Sequence, residues 1–209
     1  MDENLDSVLG DSRGTGLNAV ESGQESIWIA ASQRGDSLAF NRLVLRWEKP
    51  IYNLTLRMLQ DPDEAAEATQ EVFLSAFKNI RRFRQDARFS TWLYRIAVNH
   101  CISRLRRKPP GIHYSLDDRR PEPPLAANLP ARESQEKEFF LEESRSRVRM
   151  ALDYLPPEQR AIVELKFYQE LTFEEIATII DVPLSTIKSR LYAGLEILKV
   201  RLGGLLQGY

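Results

Sequence analysis

The chain has very few of the residues that build disulfides and metal sites. Among its 209 residues are one cysteine, Cys101, and two histidines, His100 and His113. A single cysteine excludes an intramolecular disulfide, and neither histidine has a metal-ligand set near it in the sequence. The chain also lacks a phosphate-cradling glycine loop and a plausible catalytic triad. We therefore expect a protein that is not an enzyme and that needs no cofactor or metal.

Long apolar segments are also missing. No run of 18 apolar residues occurs, so no transmembrane helix is expected. The N-terminal segment MDENLDSVLGDSRGTG has neither a basic start nor an apolar stretch, which argues against a signal peptide. Since 43% of the residues are hydrophobic, enough for packed cores, we expect a soluble cytoplasmic protein.

Acidic and basic residues are nearly equal in number overall, but the two signs of charge are segregated along the chain. The formal net charge is only −1, which by itself argues against a nucleic-acid partner. Between Lys78 and Lys108, however, ten basic residues accompany a single acid, Asp86. A concentrated basic segment is typical of phosphate binding, although a solvated helix face is the alternative.

The pattern of apolar residues and breakers predicts an all-α chain of two small helical domains joined by a proline-rich flexible linker. Six of the 11 prolines lie between residues 108 and 133. We expect a disordered acidic tail at 1–23, a first domain at 24–107, the linker at 108–133 and a second domain at 134–209. Within the domains we expect a kink at Pro50, a break at Pro156-Pro157, a helix end at Gly203-Gly204 and an extended tether between the domains.

The second domain contains a predicted helix-turn-helix. Thr172 and Glu175 have the spacing of a capping box, Asp181 suits a tight turn, and Pro183 suits a helix entry. The helix after Pro183 repeats apolar residues at spacings of three and four. Its opposite face is rich in hydroxyls and cations, which contact phosphates and base edges. An ordinary helical hairpin with solvated charges is the alternative.

The first domain places an acidic helix directly before the basic segment. Its acids, which have no base among them, suit either the dipole of a helix N-terminus or a cationic protein partner. Aromatic residues are interleaved with the arginines that follow, a combination that can stack unpaired bases. Phe83 and Phe89 are as consistent with a core as with base stacking, Trp92 favours a core role, and the amide of Asn99 could read a base edge.

Two strings in these domains resemble a known family. RFSTWLYRIAVNHCISRLRR, with the helices before it, is similar to region 2 of the extracytoplasmic-function (group 4) sigma factors of bacterial RNA polymerase. LPPEQRAIVELKFYQELTFEEIATIIDVPLSTIKSRLYAGLEILK is similar to region 4 of that family. The resemblance implies a sigma factor that binds core polymerase, recognises −35 and −10 promoter elements, and helps to melt the −10 region.

The resemblance also implies three sets of contact residues. Those expected to bind the clamp of the largest polymerase subunit are Asp63, Glu64, Glu67, Gln70, Glu71, Phe73 and Phe77. Those expected to bind the single-stranded −10 element are Arg81, Phe83, Arg84, Arg88, Phe89 and Asn99, with Asn99 in a pocket for a flipped-out base. Those expected to bind the duplex −35 element are Lys166, Ser185, Thr186, Lys188, Ser189, Arg190 and Tyr192. Ala193 departs from the arginine of some relatives, which puts the −35 sequence preference in doubt.

The family further implies an anti-sigma factor as a partner. An alternative function is a free-standing helix-turn-helix regulator that binds duplex DNA without polymerase, but such a protein has no need of the TWLYRIAVN block. Linker length is compatible with a sigma factor: 26 extended residues reach about 86 Å, against about 70 Å for two turns of duplex.

Overall fold

The computed structural model describes residues 17–107 and 146–206, and all regular secondary structure in these ranges is helical. The helices are α1 (Leu17–Gln33), α2 (Ser37–Leu59), α3 (Pro62–Asn79), α4 (Phe89–Arg107), α5 (residues 146–153), α6 (Pro157–Val163), α7 (Phe173–Ile180) and α8 (Leu184–Leu206). A 3₁₀ turn, Ile80–Arg82, follows α3, and a π-helical turn, Glu164–Tyr168, follows α6. The all-α prediction is confirmed. The expected linker at 108–133 lies outside the described residues.

Helices α1 to α4 form a first unit whose starts are set by aspartate caps. Asp36 Oδ1 accepts hydrogen bonds from the amides of Leu38 and Ala39, at 2.9 and 3.1 Å, and so begins α2. Asp61 caps α3 in the same way, just before a proline at the first helical position. Gly35 supplies the positive φ, +99°, that the turn between α1 and α2 requires.

The core of this unit is a column of aliphatic side chains between α2, α3 and α4. Leu43 and Leu54 of α2, Val72 of α3 and Leu93 of α4 are at most 1% exposed. Each such side chain contributes roughly 1.5–3 kcal/mol when it leaves water. Burial on this scale positions the solvent-facing sides of α3 and α4, where the expected contact residues lie.

One expected helix end does not occur, and the helix with the expected kink at Pro50 is continuous. Helix α2 runs through Pro50 without interruption, because the fully buried Ile51 and Leu54 just beyond it hold the helix against its neighbours. Helix α8 continues through Gly203 and Gly204 to Leu206, since a glycine inside a helix costs only about 1 kcal/mol. The predicted disordered tail at 1–23 is also too long: residues 17–23 already belong to α1.

The second unit is built on the helix-turn-helix pair, α7 and α8. Ile176 and Ile179 of α7 and Ile187 of α8 are at most 1% exposed. They pack with Ile162 of α6 and Leu165 of the π-helical turn, which are fully buried. The predicted break at Pro156-Pro157 is present between α5 and α6.

The two units pack against each other instead of lying apart on an extended tether. Helix α4 of the first unit contacts α6 and α7 of the second, and α2 contacts α6 and the π-helical turn. Their buried residues form one continuous cluster. Within residues 17–107 and 146–206, no helix combines the length and apolar composition needed to span a membrane.

Candidate protein and nucleic-acid interfaces

The turn between α7 and α8 has the geometry that the sequence predicts. Thr172 Oγ1 accepts a hydrogen bond from the Glu175 amide at 3.2 Å, and the Glu175 carboxylate accepts one from the Thr172 amide at 3.0 Å. These are the two bonds of a capping box. Asp181 ends α7 in the left-handed conformation, with φ 62° and ψ 48°. The Pro183 carbonyl then accepts from the amides of Thr186 and Ile187, which begins α8.

Helix α8 presents the expected polar face to solvent. Ser185, Lys188 and Ser189 are exposed, and the Tyr192 ring is 49% exposed. Thr186 and Arg190 are half-buried. Ile187 and Leu191 fix the opposite face in the core. A rigid helix with hydroxyls and cations along one side can enter a major groove and reach base edges and phosphates.

Two lysines of this surface meet over one aromatic ring. The ammonium of Lys166 lies 4.7 Å from the centroid of Phe173, and that of Lys188 lies 5.5 Å from it. A cation over an aromatic face is stabilised by about 0.5–1 kcal/mol at an exposed site. Phe173 was not among the expected contact residues. It brings Lys166, which precedes the helix-turn-helix, to the same surface as α8.

In the first unit, the expected −10 residues divide into an exposed and a buried group. Arg81, Arg84 and Arg88 are exposed. Phe83 and Phe89 are only 8% and 4% exposed, so this form offers neither ring as a stacking face.

The burial of Phe83 and Phe89 has a clear cause in the ring packing around them. Their centroids lie 5.8 Å apart, and each packs within 5.6 Å of Trp92. Gln33 of α1 also donates hydrogen bonds to the carbonyls of Ile80 and Phe83, at 3.2 and 2.7 Å, which fixes the segment before α4. The two phenylalanines therefore belong to an aromatic core in this structure, and their expected contact with bases stays a prediction.

Asn99 is exposed, as a base-contacting amide must be. It lines an open groove of about 740 Å³ between α3 and α4, and the other residues that line it are Glu64, Glu67, Glu71, His100, Ser103, Arg104 and Arg107. The groove is thus walled by acids on α3 and by bases on α4. A neutral base fits such a mixed environment better than a phosphate does.

Two acids of α3 that have no base near them in sequence are paired with bases of α4. Arg104 of α4 reaches Glu67 at 3.3 Å and Glu71 at 2.9 Å. His100 Nδ1 lies 3.4 Å from Glu71. The hydrogen bond from Arg104 lowers the pKa of Glu71 below its usual range, against a smaller opposing effect of burial. Because the basic partners lie some thirty residues away in sequence, periodicity could not reveal them.

Beside the acids, α3 carries an exposed apolar strip. Phe77 is 49% exposed and packs edge-on against Phe40 at 5.0 Å. Leu74, one helical turn earlier, is 58% exposed, and Gln70 is exposed one further turn back. Leu74 was missed by the sequence analysis, although its spacing from Gln70 and Phe77 places all three on one face.

The remaining expected clamp residues surround this strip. Asp63 is exposed, whereas Glu64 and Phe73 are half-buried. Within the parts of the chain that the structure describes, His, Cys, Asp and Glu side chains form no group of three that could hold a metal ion.

Comparison with known proteins assigns both units to one family. Residues 43–109 match the family model Sigma-70 region 2, and residues 145–198 match Sigma-70, region 4. The chain is 34% identical to the RNA polymerase sigma-H factor of Pseudomonas aeruginosa over 188 residues, which cover 88% of this chain and 96% of that one. It is also 34% identical to the ECF RNA polymerase sigma factor SigW of Bacillus subtilis, over 85% of this chain and 96% of the relative.

Solved structures show the same fold. A structure of CnrH in complex with the cytosolic domain of CnrY matches 87% of this chain and 98% of its own, with a TM-score of 0.62 at 18% identity. The sigma factor RpoE of Bartonella quintana, in complex with the anti-sigma factor NepR, matches 78% of this chain with a TM-score of 0.58 at 19% identity. The match spans both helical units in each case.

Proposed function

The chain belongs to the extracytoplasmic-function sigma factors of bacterial RNA polymerase, and on that basis we propose how its surfaces divide the work of initiation. The first unit, within 24–107, binds the polymerase clamp and the −10 strand. The second unit, within 134–209, reads the −35 duplex. The observation that carries this division is the placement of an acidic and apolar surface on α3, an arginine-rich surface before α4, and a polar recognition face on α8.

Core binding is assigned to α3. The exposed apolar side chains of Leu74 and Phe77, with Gln70 one turn earlier, supply area that leaves water on docking, and the neighbouring acids supply orientation. Apolar side chains with a charged margin are the usual anatomy of a protein interface. Charges at such a margin affect the association rate and the choice of partner more than the affinity itself.

Strand capture is assigned to the exposed arginines and to Asn99. Arg81, Arg84 and Arg88 bind phosphates of the separated strand, and the Asn99 amide contacts a base in the groove between α3 and α4. Lifting a base from the stack costs a few kcal/mol, so a hydrogen-bonding pocket that receives it stabilises the open state. The buried Phe83 and Phe89 support this surface from beneath.

Duplex recognition is assigned to α8 and the lysines that flank it. Ser185, Lys188, Ser189 and Tyr192 lie on the exposed side of the helix, within reach of the major groove. Lys166 joins them through the ring of Phe173. Ala193 is exposed on the same helix but offers only a methyl group, so an arginine contact made by some relatives is absent here.

Two further properties complete the proposal. The chain acts in the cytoplasm as a regulator without catalytic activity of its own, since polymerase and promoter DNA are its partners. An anti-sigma factor controls it: the sigma factor RpoE of Bartonella quintana, which has the same fold, was solved in complex with the anti-sigma factor NepR. The inhibitor occludes the surfaces that polymerase and promoter need.

A promoter-opening assay separates this function from that of a free-standing regulator. The chain is mixed with promoter DNA, with and without core polymerase, and permanganate reactivity of unpaired thymines is measured around −10. We expect reactivity only when both proteins are present. If the chain binds the duplex equally well without core polymerase, and no unpaired thymines appear when core is added, the chain is a free-standing regulator.

A further inference from the structure

Two of the proposed strand-binding arginines lie on a short arch of chain between two buried rings. Phe83 and Phe89, which stand at the two ends of the arch, are 8% and 4% exposed. Of the five residues between them, four are exposed, and Arg84 and Arg88 are among these. We call residues 84–88 the arginine arch. Its cations can bind a strand together only if the arch keeps one position.

The arginine arch has little structure of its own to keep it in place. None of residues 84–88 is helical. Gln85 adopts the left-handed conformation, with φ 60°, which side chains other than glycine, asparagine and aspartate rarely adopt. Such a conformation persists only where the surrounding structure holds it. The support must therefore come from residues outside the arch.

Gln33, the last residue of α1, supplies support at the start of the arch. Its Nε2 donates one hydrogen bond to the Phe83 carbonyl at 2.7 Å and another to the Ile80 carbonyl at 3.2 Å. A side-chain amide carries two N–H donors, so it can satisfy both carbonyls at once. The Phe83 amide also donates to the Ile80 carbonyl, at 3.1 Å. One glutamine thus fixes the backbone turn from which the arch begins.

The turn that follows Gln33 accommodates a third arginine. Gly35 has φ +99° and no side chain, and a Cβ added to it would lie 3.5 Å from Nη2 of Arg81. Arg81 is exposed and belongs to the 3₁₀ turn whose first carbonyl Gln33 binds. The end of α1 therefore lies against both the start of the arch and the arginine that precedes it.

Packing against α2 places Gln33 independently of the arch. Ile29 of α1 is 5% exposed, and Glu25 accepts a hydrogen bond from Nε1 of Trp47 at 2.7 Å. These contacts fix α1 on the helix that forms the centre of the first unit. The match to Sigma-70 region 2 begins at residue 43, after α1 has ended, so it assigns no role to Gln33.

We propose that Gln33 is a positioning residue for strand capture, which holds the backbone at Ile80 and Phe83 so that the arginine arch is in place before the separated −10 strand arrives. A site that is ordered in advance does not use binding energy to order itself. The inference rests on the proposed function, because that function assigns the arginines to the strand. It adds a residue of α1 that acts through them without contacting DNA itself.

The test removes the two donors of Gln33 and keeps the size of the side chain. Gln33→Met has a flexible side chain of similar length that cannot donate a hydrogen bond. Gln24→Met is the matched control, because Gln24 is exposed on the same helix, about two and a half turns earlier and on the opposite side. For each holoenzyme, affinity is measured for a fluorescent single-stranded oligonucleotide of randomised sequence and for a labelled −35 duplex.

We expect Gln33→Met to bind the single strand about fivefold more weakly, which is the factor that one intramolecular hydrogen bond typically contributes. Its affinity for the −35 duplex should be unchanged, and Gln24→Met should resemble the parent on both DNAs. Equal losses on the two DNAs would show a general loss of active protein and would overturn the proposal. Parental binding of both DNAs by Gln33→Met would also overturn it.

A double-mutant cycle tests whether Gln33 acts through the arginine arch. Arg84→Ala with Arg88→Ala removes the cations of the arch. In that background Gln33→Met should have no further effect on single-strand affinity, because the position of the arch no longer matters. If Gln33→Met lowers the affinity by the same factor in both backgrounds, the glutamine acts elsewhere and has no positioning role.

Hydrogen exchange in the free protein tests the contact itself. The amide of Phe83, which is bonded to the Ile80 carbonyl, should exchange faster in Gln33→Met than in Gln24→Met, at equal melting temperature. Equal exchange would contradict the proposed hold on the arch.

The same measurements separate the inference from the proposed function. If holoenzyme with Arg84→Ala and Arg88→Ala binds the single strand as the parent does, the assignment of the arginines to the strand is wrong, and the positioning role fails with it. If those arginines matter but Gln33→Met binds like the parent, the proposed function stands and only the role of Gln33 is refuted.

Discussion

Replacing Lys188 by alanine is the most direct probe of the recognition surface. Lys188 is exposed on α8, and its ammonium lies 5.5 Å from the ring of Phe173. The ring also holds Lys166 at 4.7 Å, so two cations lie over one ring on the proposed recognition surface. The substitution removes one cation without disturbing the buried face of α8, which is formed by Ile187 and Leu191.

The expected size of the effect follows from counterion release. Each phosphate contact contributes about 0.9 to the slope of log K against log salt concentration on duplex DNA. Lys188→Ala should therefore flatten the slope by about 0.9, and Lys166→Ala with Lys188→Ala by about 1.8. The loss of affinity at moderate salt should be about fivefold for the single variant, since an exposed charge contact stabilises by about 1 kcal/mol.

The assay is titration of holoenzyme onto a labelled −35 duplex at several salt concentrations. Lys199→Ala is the matched control, because Lys199 is exposed on the same side of the helix, about three turns and roughly 16 Å beyond Lys188. It should keep the parental slope. If Lys188→Ala and Lys199→Ala give the same slope, or if Lys188→Ala changes binding to single-stranded −10 DNA as strongly as to the duplex, the recognition surface has been misassigned.

Three other predictions test separate surfaces. Asn99→Ala should leave the melting temperature and core affinity nearly unchanged, because the amide is exposed, but should cost roughly 1–3 kcal/mol of base preference at one −10 position; unfolding with intact preference would make Asn99 structural. Reversing the charge of Glu67 and Glu71 should weaken core binding in a titration, whereas Arg104→Gln, which breaks their pairs but keeps the acids, should not; equal losses would point to a structural role for the pairs. Cys101 is fully buried, and burial raises its pKa to about 12, so a thiol reagent at neutral pH should label it only after unfolding, and rapid labelling of the native protein would contradict the packing of α4.

The local elements could be predicted because their determinants are close together in sequence. The capping box of Thr172 and Glu175, the left-handed Asp181 and the apolar spacing of α8 each depend on residues within about two helical turns. For the same reason, the spacing of apolar residues correctly indicated which face of α8 is exposed. Its role in DNA binding remains a prediction.

The features that the sequence could not show have a common physical origin in tertiary contacts. Helix α2 continues past Pro50, where a kink was expected, because the burial of Ile51 outweighs the lost hydrogen bond. Phe83 and Phe89 are interleaved with arginines in the sequence, a pattern that suits base stacking, yet in the structure both rings pack on Trp92.

The closure of the two units is the largest feature that the sequence could not show. Its central pair, Arg57 and Glu164, is separated by 107 residues, and neither residue stands out from its neighbours in the sequence. A proline-rich linker indicates only that the units are connected. Whether they dock depends on the shapes and charges of surfaces that exist after each unit has folded.

The central claim is that this chain directs core polymerase to promoters that have both a −35 and a −10 element. Transcription reconstituted from purified core polymerase and this protein, on a library of randomised promoters, tests it directly. We predict transcripts only when the chain is present, from templates that share two sequence elements about two turns of duplex apart. Transcripts that do not depend on the chain, or enriched templates with a single duplex element and no opened −10 region, would contradict the account.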